Sequence, residues 1–171
     1  MTKLFEIISR PKVFIGFFIL STIISYCFPY AEAVVGGALL DLSMNGESAL
    51  TRLNEMSQTQ KNKHIWATLV LDIAYPLTLS GFMAGITLHY RNRLPQSLHK
   101  IMLAPALIAL IMDLCENAVQ VLALSGHAGL LSLKTILTPL KFSMFALAAL
   151  IAIFLLFSAL ITWMRARKKQ H

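Results

Sequence analysis

The sequence predicts an all-α fold, a polytopic membrane four-helix bundle built as a single domain over residues 1–171. Three observations predict it. Four long apolar segments occur, at about 13–33, 65–89, 101–125 and 135–163, each long enough to cross a bilayer. Charged residues make up only 13% of the chain and hydrophobic ones 57%, where a soluble domain carries about 25% charged residues. The positive residues gather at the ends of the apolar segments, where they orient a chain in a membrane.

The first segment follows Lys3, Arg10 and Lys12, and a kinked continuation past Pro29 toward Leu40 is open to it. A basic stretch, an apolar run and Ala31-Glu32-Ala33 also imitate a secretory signal with its cleavage site. The run is at the long end for a signal, and retaining it gives an even bundle with consistent charge bias, so it is read as a helix. The connection 41–64 is the one sizeable piece outside the spans. Asn45-Gly46 reads as a turn. Leu50, Leu53 and Met56 then recur at helical spacing among Glu47, Arg52 and Glu55. This predicts a short amphipathic helix on the outer surface, followed by a flexible linker from Gln58 to Lys63.

The second segment carries Pro76, which removes a backbone hydrogen bond and kinks the helix, opening room beside Asp72. It also carries Gly81 and Gly85, spaced for close helix packing. The third segment holds the polar stripe discussed below. The fourth is the most apolar and slightly over-long, which tilt absorbs. Ten of the fifteen Lys and Arg residues flank one side: Lys3, Arg10, Lys12, Arg91, Arg93, Lys100, Arg165, Arg167, Lys168 and Lys169. Both termini are therefore expected in the cytoplasm, with Trp66 and Trp163 as interfacial anchors.

The net charge of +7 does not indicate nucleic acid, because no basic stripe with interleaved aromatics is present. Cys27 and Cys115 stand far apart in apolar runs and read as small buried hydrophobes. Each of His89, His99 and His127 stands alone and reads as a solvated loop residue. No Cys/His cluster, phosphate-binding loop or catalytic triad order occurs, so neither a metal nor a cofactor is expected.

The third segment places Asp113, Glu116, Asn117 and Gln120 at i, i+3, i+4 and i+7, on one helical face. An ionisable group near mid-membrane costs roughly 2.5–3.5 kcal/mol. A chain carries two carboxylates there where the bundle interior, a water cavity or a partner receives them. At the rise of an α-helix, Asp72 lies about 10 Å below the outer end of its span, Glu116 about 13 Å, Asp113 about 18 Å and Lys141 about 9 Å. Three helices thus bring polar groups to similar depth, in the outer half. Thr68, Asp72 and Tyr75 share one face, as do Lys134, Thr138 and Lys141, and Glu32 is placed at the rim. Asp72, Asp113 and Glu116 are the candidate acid/base residues; Tyr75, Asn117, Gln120 and Lys141 are candidates for ligand binding.

The patterns D-x-x-Y-P (Asp72, Tyr75, Pro76) and D-x-x-E-N (Asp113, Glu116, Asn117) resemble those of small bacterial four-helix membrane proteins of uncharacterised activity. That resemblance covers about 50 residues and implies a bacterial inner-membrane location, with no activity to carry over. In architecture alone the chain also looks like four-helix sterol-isomerase and sigma-2-type proteins, which place acids in an intramembrane pocket. No motif of theirs is matched, and no residue role is transferred.

Three functions remain open. The outer acidic pocket binds, or acts by acid/base chemistry on, a small lipid-soluble ligand. Alternatively the carboxylates relay protons or cations, against which stands the apolar inner half of the fourth segment. Or the protein is an accessory component, in which the stripe is a structural polar network or meets a partner membrane protein or a second copy. Surrounding membrane lipid is a partner in each case.

Overall fold

The computed structural model describes residues 3–168; Lys169 of the predicted basic tail lies outside them. The described chain is helical, with no strand among the described residues. A short helix α1 (Lys3–Ile8) precedes α2 (Pro11–Val35); α3 (Gly46–Glu55) and α4 (Gln58–Ala67) follow. A π-turn, Thr68–Asp72, joins α4 to α5 (Ile73–His89). Helices α6 (His99–Leu124) and α7 (Lys134–Lys168) complete the fold. Among the described residues, four helical runs are long and apolar enough to cross a membrane: Pro11–Val35, Gln58–His89, Gln96–Leu124 and Ala128–Arg167.

The runs alternate in direction. His89 at the end of α5 takes up Ser9 O just before α2, at 3.0 Å. Arg93, after α5, donates to Ser158 O and Thr162 Oγ1 near the far end of α7. Helix α2 lies against α5, where a Cβ on Gly81 would fall 2.8 Å from the Phe17 ring, and one on Gly85 2.5 Å from Phe14 Cβ. The small residues therefore set how closely these two helices approach. Helix α6 packs on both α5 and α7. The outward faces of α2 and α7 present large apolar side chains, among them Phe18, Ile23, Leu150, Phe154 and Phe157. A surface this apolar is one that lipid or another protein covers.

Along its buried face α6 reads as three layers. Leu103 and Ala106 belong to an apolar cluster with Met83, Leu88 and Ala148. Asp113, Glu116, Asn117 and Gln120 come next, all buried. Val119, Ala123 and Leu124 then join Val35, Leu40, Ala49, Leu53 and Leu131 in a second apolar cluster that closes the far end of the bundle. The polar layer is thus sealed between two apolar ones.

The connection between α2 and α4 makes that seal. Helix α2 stops where Gly36 adopts φ 81° and Gly36 N and Gly37 N both donate to Glu32 O, a left-handed cap that glycine takes at little cost. Arg52 on α3 donates to Gly36 O and Ala38 O, fastening the segment. The predicted amphipathic helix forms as α3, but its face is rotated from the expected one. Leu53 and Met56 are buried as the spacing implies, whereas Leu50 is 41% exposed and Ala49 takes the inner position. The predicted linker from Gln58 to Lys63 is instead the first turns of α4. Ser57 and Gln60 form a reciprocal capping box there, a motif that satisfies two orphan backbone donors.

Gly46, at the start of α3, lies against the backbone of the turn before α7. A Cβ there would stand 2.5 Å from Leu131 O and 2.9 Å from Ser132 Cα. Backbone cannot swing aside as a side chain does. Gly46→Ala is therefore expected to lower stability by about 1–3 kcal/mol and to quicken proteolysis between Gly36 and Ser57, both read on detergent-solubilised protein. Unchanged melting and cleavage would show that α3 shifts without loss.

Candidate functional site

The polar layer gathers around two lysines of α7. Lys134 and Lys141 are seven residues apart, two turns along one helical face, and both are buried. Lys134 Nζ pairs with Glu116 Oε1, which also accepts from Thr138 Oγ1 at 2.7 Å. Lys141 Nζ stands 2.7 Å from Glu116 Oε2, 3.3 Å from Asp113 Oδ1 and 2.7 Å from Asp41 Oδ1. The contact to Glu116 Oε2 is an ion pair whose angle is not that of a hydrogen bond. Gln120 Nε2 reaches Asp41 Oδ1 at 3.4 Å. Glu116, with no exposed side-chain surface, thus bridges both lysines. A buried charge is stable only when paired and hydrogen-bonded, and Glu116 has both kinds of partner.

Asp41 enters from outside the bundle. The single turn Leu40–Leu42 carries it inward beneath α3. Leu40 N donates to His64 Nε2 at 2.8 Å. That donor makes Nε2 an acceptor, so the neutral ring carries its proton on Nδ1, which meets Thr68 Oγ1 at 3.2 Å. His64 has no exposed surface. The turn is therefore pinned at Leu40 by His64 and at Asp41 by Lys141 and Gln120.

Asp72 stands apart from the lysines. It ends the π-turn, and its side chain is buried at 3% exposure. Pro76 has no N–H, so the carbonyl four residues earlier, that of Asp72, lacks its helical donor. Asn117 Nδ2 supplies one at 2.6 Å. The carbonyl that Pro76 leaves without its helical donor thus has a partner across the helix interface. The Asp72 carboxylate meets no lysine: the side-chain donor that acts on it is the Thr68 hydroxyl, in a geometry short of a full hydrogen bond, and Asn117 Oδ1 and Gln120 Oε1 take no hydrogen bond from a described residue. π-turns recur at functional sites, and a buried carboxylate without a cationic partner is costly to keep.

Of the residues singled out in the sequence, the fold brings Asp113, Glu116, Gln120 and Lys141 into one network and sets Asn117 against Asp72. Tyr75 is half-buried and packs edge-on against Phe28, ring centroids 5.6 Å apart; the described hydrogen bonds give its hydroxyl no partner. Asp41, His64, Lys134 and Thr138 complete the network and were not among the predicted site residues. Lys134 and Thr138 were visible as a shared helical face with Lys141. Asp41 carried no local signal at all.

Oxygens of Asp41, Asp113 and Glu116 lie within 4.8 Å of one another, a spacing that suits a cation. The ammonium of Lys141 already stands among them. The network is closed to the two cavities described. One, of about 840 Å3, lies at the end of the bundle that carries Lys3. The other, of about 350 Å3, is an open apolar groove between α2 and α4, lined by Tyr30, Ala31, Trp66 and Leu71. The chain matches no family model, no curated protein and no solved structure, so the site is interpreted on its own geometry.

Proposed function

We propose that the chain is an integral membrane protein that holds a small lipid-soluble ligand at Asp72, through a hydrogen-bond donor or cationic group on that ligand. The observation that carries the proposal is the Asp72 carboxylate, buried with only the Thr68 hydroxyl acting on it and no lysine, while Asp41, Asp113 and Glu116 all contact lysine. Asn117 Oδ1, which takes no hydrogen bond from a described residue, adds an acceptor on the neighbouring helix. The groove lined by Tyr30, Trp66 and Leu71 offers an approach from the lipid side, one residue from Asp72. Four carboxyl groups face two ammonium groups in this layer, so acid is in excess; acid/base processing of the bound ligand by Asp72, Asp113 and Glu116 is the finer form of the same proposal. The charge distribution supports both chain ends facing the cytoplasm.

The accessory reading has its own support, the closed pairing of Glu116 with Lys134 and Lys141, which works as structural glue. Transport has less, because the buried α6 side chains between Asp113 and the start of that helix are Leu103, Pro105, Ala106 and Ala109. Native mass spectrometry of protein extracted in mild detergent separates them. A bound species of constant mass is expected on the wild type, with occupancy falling about 10- to 100-fold in Asp72→Asn. Loss of a charge-assisted hydrogen bond sets that range. The same species retained in full by Asp72→Asn would sink the proposal. Release of a co-purifying protein instead would establish the accessory role.

A further inference from the structure

The 840 Å3 cavity has no part in the site above. It lies between α1, the end of α5 and the start of α6, and its wall has two characters. Phe5, Leu88, Leu94 and Leu103 form an apolar side, with Leu88 and Leu103 buried in the bundle. Arg91, Asn92, His99 and Lys100 form a polar and cationic side.

Among the described residues the charge of this wall is one-signed. Residues 90–100 contain three cations and no acid. Lys100 is exposed, and no described carboxylate pairs with it. The connection that carries these groups is held in place rather than loose. Arg93 is tied to Ser158 O and Thr162 Oγ1 on α7, and His99 Nε2 lies 3.1 Å from Leu94 O. Beside the cavity, α1 turns Phe5 inward while Leu4 and Ile7 stay exposed.

We propose that this cavity is a binding site for the phosphate headgroup of an anionic membrane phospholipid. The phosphate lies against Lys100, with Arg91 adding positive charge to the same wall, Asn92 donates from its amide, and the first methylenes of an acyl chain rest on Leu88 and Leu103. A basic pocket between helices at the membrane surface is suited to such a headgroup, and its volume lies in the range of small-molecule sites.

The test is competitive lipid titration followed by native mass spectrometry. Wild-type protein is expected to retain dioleoyl phosphatidylglycerol over dioleoyl phosphatidylcholine. Asn92→Ala combined with Lys100→Gln is expected to reduce that preference roughly five- to tenfold. Both positions are exposed, so melting should not change. Lys12→Gln with Arg165→Gln, cations outside the cavity, should leave the preference intact. Equal retention of the two lipids in the wild type would overturn the proposal. So would an equal loss in the Lys12/Arg165 variant, which would show diffuse surface charge alone. Displacement of the lipid by millimolar glycerol 3-phosphate would overturn the lipid assignment in favour of a soluble phosphate ester.

Discussion

Replacing Glu116 by glutamine is expected to destabilise the protein by about 3–5 kcal/mol, the range for breaking a buried ion pair from one side. Glutamine keeps the length of the side chain and an acceptor for Thr138 Oγ1. It removes the anionic partner of Lys134, which has no exposed surface and no other carboxylate within ion-pair distance among the described residues. The loss therefore falls on the stranded ammonium and not on the shape of the site. Adding Lys134→Met removes that ammonium and should return most of the stability, since well-packed apolar replacements of buried pairs are often neutral or stabilising. Unfolding in detergent, followed by circular dichroism, measures both. A single Glu116→Gln variant that melts with the wild type would show that water or a conformational shift already solvates Lys134.

Lys141→Met is the second large effect. It leaves oxygens of Asp41, Asp113 and Glu116 within 4.8 Å of one another, with Lys134 as the one remaining ammonium, bound to Glu116. Three acids facing each other without a central cation repel, and a loss of about 3–5 kcal/mol is expected here too. The expected signature is cation dependence. Millimolar magnesium or calcium should raise the melting temperature of Lys141→Met and leave the wild type unmoved, because a free ion then takes the place of the tethered ammonium. No response to either ion would mean that the carboxylates move apart, most readily by Asp41 swinging out with its turn.

Much of the fold was legible from chain chemistry. The four apolar runs follow from composition, and the α6 stripe from its spacing. Counting depth along helices, which needs only a constant rise per residue, put Asp72, Glu116 and Lys141 at one level without saying which acid meets the lysine; Glu116 does, and Asp72 makes no ion pair among the described residues. What stayed hidden depends on contacts far apart in the chain. Asp41 and Lys141 are 100 residues apart, and a lone acid in a connection looks like any solvated one. His64 follows a polar run, Gln-Thr-Gln-Lys-Asn-Lys, yet is buried with the backbone of Leu40, 24 residues earlier, bonded to its ring. The π-turn at Thr68–Asp72 is a backbone adjustment with no composition of its own. The capping box at Ser57 and Gln60 was different: its signal was present, but the polarity of the residues around it read as linker.

The place of Asp41 also has a consequence for the order of assembly. This residue leaves the chain early, between the first and second long helical runs, yet its ammonium partner belongs to the last. The turn Leu40–Leu42 can make its contacts to α6 and α7 only after both are in place. Until then Asp41 is a solvated acid and the far end of the bundle stays open. Closure of that end is consequently a late event, reporting that the fourth run has joined the other three. A chain stopped before Lys134 would leave Glu116 buried without either lysine, and the unfinished bundle would be unstable at its centre instead of at its edge.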